Sequence, residues 1–283
     1  MRLRFSTWLN IGLLLLLFIL TQIIGSLSGM LLRDCNDSIS RSTSISLMRD
    51  SDLQPLGLLI GSLMLILLLW ALGLIPRRIL KRLRPTWPTF SWLCVIFFLV
   101  TALGMSFLAE ALSLDDMMAM DLMKGFLLSP IGWLLVCFFA PLSEELLFRE
   151  AILRQFTQSG MSRAMAAVLS ALLFAIVHFN PAQAVPAFVM GLLLAYLYYM
   201  VGDIRLSLLA HVVNNTCSAV LLQFPQLDEP LTHYSLITQL FIAAALVGAG
   251  SIGFIWIWET KKQEYIGNMP NYSTPTAYED RND

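Results

Sequence analysis

Within the long apolar stretches of this 283-residue chain, residues that could do acid–base chemistry are few and fall in three places. Glu144, Glu145 and Arg149 interrupt one stretch, His178 closes the next, and His211 with Asn215 lies in a third. An ionisable group in hydrocarbon is costly unless it faces a polar interior, so each is a functional candidate. On helices, Glu145 and Arg149 share a face, as do Phe174 and His178, and His211 and Asn215, each pair being four residues apart. Counting helical rise from the nearest basic anchors puts Glu144 and Asn215 about 15 Å deep, His178 about 22 Å and His211 about 9 Å. With helix tilt these depths overlap, and the expectation is one interior polar cavity that holds the whole set. Such a set suits hydrolysis. A carboxylate beside a desolvated histidine can hold and deprotonate a water. A second histidine and an amide can donate hydrogen bonds to the oxyanion that forms on an attacked carbonyl. Arg149 would keep the neighbouring carboxylate ionised and fixed.

The elements that must position these groups follow from composition. The chain is 57% hydrophobic and 13% charged, with mean hydropathy +0.72. A soluble domain carries about a quarter charged residues, so the expected fold class is all-α, a polytopic transmembrane bundle of about eight spans. The apolar runs are continuous, which argues against a β-barrel. The spans are expected near 8–32, 53–75, 91–112, 131–154, 164–180, 183–201, 205–222 and 235–258. Residues 1–125 would then carry the first three spans, 126–222 a core of spans four to seven, and 223–283 the last span and a flexible polar tail from Glu259. With the N-terminus inside, only Arg33, Arg41, Arg49 and Lys124 of the 18 Lys and Arg residues fall outside, as the positive-inside rule requires. The run Arg77 to Arg84 reads as an inner anchor, and Arg2 and Arg4 precede an uncleaved signal-anchor. His233, Asp115, Asp116 and Asp121 fall in outer loops. Net charge is −1, which implies no nucleic-acid partner. Cys35, Cys94, Cys137 and Cys217 are scattered and suggest neither a disulfide framework nor a thiolate metal site. Gly25 with Gly29 and Gly57 with Gly61 allow close helix approach.

Each feature also has a plain structural explanation. Glu144, Glu145 and Arg149 could form an ion-pair cluster at a membrane interface. His178, just before Asn180-Pro181, could be a helix-end histidine reaching the surface. His211 and Asn215 could be interhelical hydrogen-bonding residues. Their joint order argues otherwise. Glu144-Glu145-Leu146-Leu147-Phe148-Arg149 resembles the EExxxR motif of the CAAX protease and bacteriocin-processing (CPBP, or Abi) family of intramembrane endopeptidases. Phe174 to His178 is similar to its FxxxH motif and His211 to Asn215 to its HxxxN motif, in the same order and at similar separations. The resemblance covers residues 126–222; the first three spans and the last lie outside it.

The resemblance implies an intramembrane glutamic endopeptidase, similar to type II CAAX prenyl endopeptidases. Glu144 would activate water with help from His178, His211 and Asn215 would form the oxyanion site, and Glu145 and Arg149 would support them. Glu150 follows Arg149 where glycine is common in the family, adding a third nearby carboxylate. No cofactor is expected. A zinc enzyme using Glu144, His178 and His211 is the less favoured alternative, because no HExxH helix is present. A transporter or membrane chaperone is the non-enzymatic alternative; neither internal repeats nor paired broken helices favour it. No serine or GxGD motif fits another intramembrane protease class. The expected partners are the bilayer and a membrane-associated peptide or protein substrate. The expected location is a bacterial inner membrane with both termini cytoplasmic, and the expected approach to the site is from the inner side.

Overall fold

The computed structural model describes residues 5–43, 48–75, 89–114, 118–224, 226 and 234–268. Among these residues all regular structure is helical: α1 (Phe5–Thr43), α2 (Asp50–Ala71), α3 (Thr89–Ala111), α4 (Ala119–Phe126), α5 (Pro130–Gln158), α6 (Arg163–Ile176), α7 (Pro181–Val201), α8 (Arg205–Gln223) and α9 (Leu236–Asn268). All but α4 and α6 are long and apolar enough to cross a membrane. The all-α polytopic bundle is therefore as expected, with seven such helices rather than eight.

The difference lies at the expected span 164–180. Helix α6 has 14 residues and is about 21 Å long, against about 30 Å of hydrocarbon. It ends at Ile176 because the chain turns through Val177 to Asn180, with Phe179 in the left-handed region at φ 56°. Asn180 then caps α7, accepting from the Gln183 amide, and Pro181 takes the first turn, where a missing N–H costs nothing. The same kind of signal opens α5, where the Ser129 hydroxyl accepts from the Ile131 and Gly132 amides ahead of Pro130. Ser162 does so for α6 by accepting from Met165.

Two other boundaries move. Helix α9 continues past Glu259 to Asn268, since the Glu, Lys and Gln residues there are good helix formers that extend an existing helix. Asp121, expected in a loop, lies in the first turn of the short helix α4. Arg2, Arg4, Arg77 to Arg84, Asp115, Asp116, His233 and residues 269–283 lie outside the described residues.

Two helical hairpins flank a central group. Helices α1 and α2 pack antiparallel through the small residues singled out in the sequence: a Cβ on Gly57 would collide with the backbone at Gly25 and Gly29, and one on Gly61 with the Thr21 carbonyl. Asn36 closes the far end, its side chain accepting from the Met48 amide and donating to the Met48 carbonyl. Helices α3 and α9 form the second hairpin, with Gly250 against Thr101 and Gly253 against the Phe97 ring. Between them lies α5, with α2 on one side and α6 and α8 on the other. Its segment Leu146–Leu153 is buried throughout and joins Ile11, Leu14, Leu65, Leu69, Phe174 and Tyr198 in one core. A second core brings Cys94 and Phe98 of α3 against Leu194 and Leu197 of α7, with Phe254 of α9.

Of the small residues in the α1–α2 seam, Gly57 has the least room for a side chain. Gly57→Leu forces α1 and α2 apart, and a melting curve in detergent is expected to show a clearly lowered Tm, consistent with an overpacking cost of about 1–3 kcal/mol. Gly12→Leu, where a side chain meets open space, serves as the control and is expected to leave Tm unchanged.

Candidate active site

Helix α5 is not a regular α-helix. Leu135–Phe139 and Leu146–Leu153 are π-helical, and the six α-helical residues Ala140–Glu145 lie between them. Pro141 sits just beyond the first π turn. The Ala140 amide bonds the Leu135 carbonyl five residues back. In that pattern the Val136 carbonyl would look to residue 141, and proline has no N–H to give it. Asn215 of α8 fills the gap, its Nδ2 donating to the Val136 carbonyl at 3.1 Å. Its Oδ1 accepts from Asn214 at 3.5 Å. Thus Pro141 creates an orphan acceptor, and the amide expected at an oxyanion site satisfies it while keeping a second N–H.

The two glutamates differ sharply. Glu145 and Arg149 have completely buried side chains, whereas that of Glu144 is 20% exposed. Arg149 Nε lies 3.4 Å from Glu145 Oε2, an ion-pair distance without hydrogen-bond alignment. The other Glu145 oxygen meets His211 Nδ1 at 3.1 Å. His211 Nε2 is 3.6 Å from Glu144 Oε2. An ionised carboxylate only accepts, so Nδ1 of His211 carries a proton and Nε2 is the nitrogen turned to Glu144. The result is a chain of polar contacts, Arg149 to Glu145 to His211 to Glu144, running from sealed core to the accessible carboxylate.

His178 joins this group through an aromatic ring. Its Nδ1 lies 2.8 Å from the Phe174 carbonyl; a carbonyl cannot donate, so Nδ1 does, and the neutral ring keeps its lone pair on Nε2. The Phe174 ring meets His178 edge-on at 4.9 Å between centroids and His211 at 5.8 Å, with the Arg149 guanidinium 5.2 Å from its centre. Phe174 is thus the surface against which both histidines and the arginine are set. Among the described residues no hydrogen bond or ion pair joins His178 or Asn215 to Glu144. The structure therefore brings Glu144, Glu145, Arg149 and His211 into direct contact, and holds His178 and Asn215 beside them through Phe174 and the helix backbone.

Glu150 belongs elsewhere. It accepts from the Tyr198 hydroxyl of α7 at 3.2 Å and pairs with Arg154 on the next turn of α5 at 3.5 Å. Ser170 was not visible as a site residue. Its hydroxyl accepts from Arg149 Nη1 at 3.3 Å and donates to the Phe148 carbonyl at 2.9 Å. A serine in an apolar helix carries no distinguishing pattern, and only the fold places it against α5. Among the described residues no three His, Cys, Asp or Glu side chains are grouped so as to hold a metal ion.

Residues 126–217 match the family model described as type II CAAX prenyl endopeptidase Rce1-like. The chain is similar to that family over this segment. The match spans α5 to most of α8 and takes in the three expected motifs, in agreement with the resemblance seen in the sequence. It supports a CAAX-type intramembrane protease in general, and so a hydrolase acting on peptide bonds in a multi-pass membrane protein. No curated protein and no solved structure matches the chain.

The buried Glu145–Arg149 pair has a measurable cost. Arg149→Met leaves Glu145 as an uncompensated carboxylate, and breaking such a pair costs about 3–5 kcal/mol. The variant is expected to melt well below wild type in detergent. Arg149→Met combined with Glu145→Gln removes both charges and is expected to regain most of the lost Tm.

Proposed function

We propose that the protein is a glutamate-dependent, metal-independent intramembrane endopeptidase that cleaves a membrane-associated peptide or protein. The observation that carries this reading is the contrast between the two adjacent glutamates: Glu145 is locked between Arg149 and His211, while Glu144 is within ion-pair distance of His211 and partly open. A fully paired carboxylate cannot act as a base. Its neighbour can.

In the proposed reaction a water sits between Glu144 and Nε2 of His178. Glu144 takes one proton, and the hydroxide so formed attacks the carbonyl carbon of the scissile bond. The negative charge that develops on the carbonyl oxygen is met by the second N–H of Asn215. His211, in its doubly protonated form, adds a donor from Nε2. Collapse of the tetrahedral intermediate breaks the C–N bond, and the proton held by Glu144 passes to the departing amine, restoring the carboxylate. Glu145 and Arg149 touch no substrate in this scheme; they fix the imidazole of His211. Burial among helices excludes bulk water and strengthens these electrostatic contacts.

The matching family is described by prenylated CaaX ends, which makes a lipid-anchored peptide the natural probe chemistry. We place it in a bacterial inner membrane with the N-terminus in the cytoplasm, as the Lys and Arg distribution favours, and with substrate entry from the inner side; both termini are cytoplasmic only if the short helix α6 makes an eighth crossing. In such a host a membrane-associated peptide or bacteriocin-like precursor is the favoured substrate.

The test compares new protein N-termini and released peptides in membranes from cells bearing wild type, Glu144→Gln and His178→Ala at matched levels. Products are expected with wild type and are expected to fall by about 10²–10⁴-fold in rate for Glu144→Gln, the usual worth of a general base. Identical profiles in all three strains would contradict the proposal.

A further inference from the structure

Ser170 lies outside the three motifs, on the buried face of α6, and has no exposed surface. A serine hydroxyl has one hydrogen to donate and lone pairs with which to accept. Here it uses both at once, donating to the Phe148 carbonyl and accepting from Arg149 Nη1. One oxygen thus ties two consecutive residues of the π-helical segment to a neighbouring helix.

Both ends of that tie need holding. A π-helical turn is wider than an α-turn, with a less favourable backbone ladder, and Phe148 lies inside such a segment. The Arg149 guanidinium is planar and turns as a unit. Its Nε faces Glu145 Oε2 at 3.4 Å, and its plane lies near the Phe174 ring. Its Nη2 is buried without a hydrogen-bond partner. The bond to Ser170 is the contact that stops the group turning about its last single bond. If it turned, Glu145 would lose its fixed partner, and His211, bonded to the other oxygen of Glu145, would shift against Glu144.

We infer that Ser170 is a positioning residue which, through Arg149 and Glu145, sets the orientation of His211 toward Glu144. The inference rests on the proteolytic reading above for its catalytic purpose, but the tether itself does not. A purely packing role for a small residue here is a separate possibility with a separate signature. Beside Ser170, Ala171 abuts Gly191 of α7, where an added Cβ would be only 3.0 Å from that of Ala171. The α6–α7 seam therefore needs small residues. Alanine at position 170 keeps that seam and removes only the hydroxyl.

Two measurements on the full-length protein test this. The first follows cleavage of an internally quenched peptide ending in farnesyl-cysteine and three further residues. Ser170→Ala is expected to lower kcat by about 10–100-fold, the scale of a small misplacement of reacting groups, with KM changed by less than about two-fold. Ser170→Thr, which keeps the hydroxyl, is expected to recover most of kcat. An unchanged kcat in Ser170→Ala overturns the inference. So does a rise in KM alone, or a folded Ser170→Thr as slow as the alanine variant.

The second measurement needs no activity. Tm is compared for Ser170→Ala, Arg149→Lys and the double variant. A double variant that melts higher than the summed single losses supports the tether, because the second substitution has no bond left to break. Strict additivity overturns it. If wild type gives no Glu144-dependent cleavage of this peptide and none in the membrane comparison above, the proteolytic reading fails, and with it the catalytic purpose assigned to Ser170. The Tm cycle still decides whether Ser170 and Arg149 are joined.

Discussion

A glutamate and an arginine with no exposed side-chain surface, one turn apart on a membrane-spanning helix, can exist there only as partners. Each alone would be a bare charge in a medium that cannot solvate it. The Glu145–Arg149 pair is therefore the constraint from which the rest of the site follows. Arg149 must have its remaining donors met or covered, which brings Ser170 and the Phe174 ring to it. Glu145 has a second oxygen to satisfy, which brings His211 across from α8. His211 then presents its other nitrogen to Glu144. A buried pair of this kind is weak evidence for net stability. Its value here is geometric, since it leaves one adjustable carboxylate in an otherwise fixed group.

The helix that carries the pair is built to the same end. Two π-helical stretches bracket Ala140–Glu145, so the motif glutamates sit on a short α-helical step between two widened turns. Widened turns leave carbonyls that neighbouring helices can take up. Asn215 takes Val136 and Ser170 takes Phe148, so α8 and α6 are each bonded to one of the irregular stretches. Chain order and site geometry are linked in this way: the polar side chains that would hold a reacting carbonyl or position the histidine also hold the distorted helix in place. The outer hairpins, α1 with α2 and α3 with α9, contribute packing against this group.

Much of the architecture was legible in the sequence because its rules are local or periodic. Ser129-Pro130, Ser162 and Asn180-Pro181 announce helix starts with ordinary capping chemistry, and the glycines of α1 and α2 announce close approach. The polar motif residues stand out because hydrocarbon makes every ionisable group conspicuous. Helix ends at the membrane edge were harder. Nothing in apolar content alone distinguishes the early stop of α6 at Ile176 from a full span, and nothing limits α9 to its apolar part. The π-helical turns have no sequence pattern of their own; Pro141 accounts for one orphan carbonyl only once the turn before it is known. Ser170 and the central placement of Phe174 depend on which helices meet, and a single chain without its fold does not say that.

The claim that most needs testing is that His211 and His178 are each held by Nδ1, leaving Nε2 to face the site. Nitrogen-15 NMR of histidine-labelled protein in lipid, with His178→Ala and His211→Ala variants for assignment, reads the protonated nitrogen directly. The account predicts that Nδ1 carries a proton in both rings, donated to the Phe174 carbonyl by one and to Glu145 by the other. A neutral ring protonated only at Nε2, at either position, would contradict it.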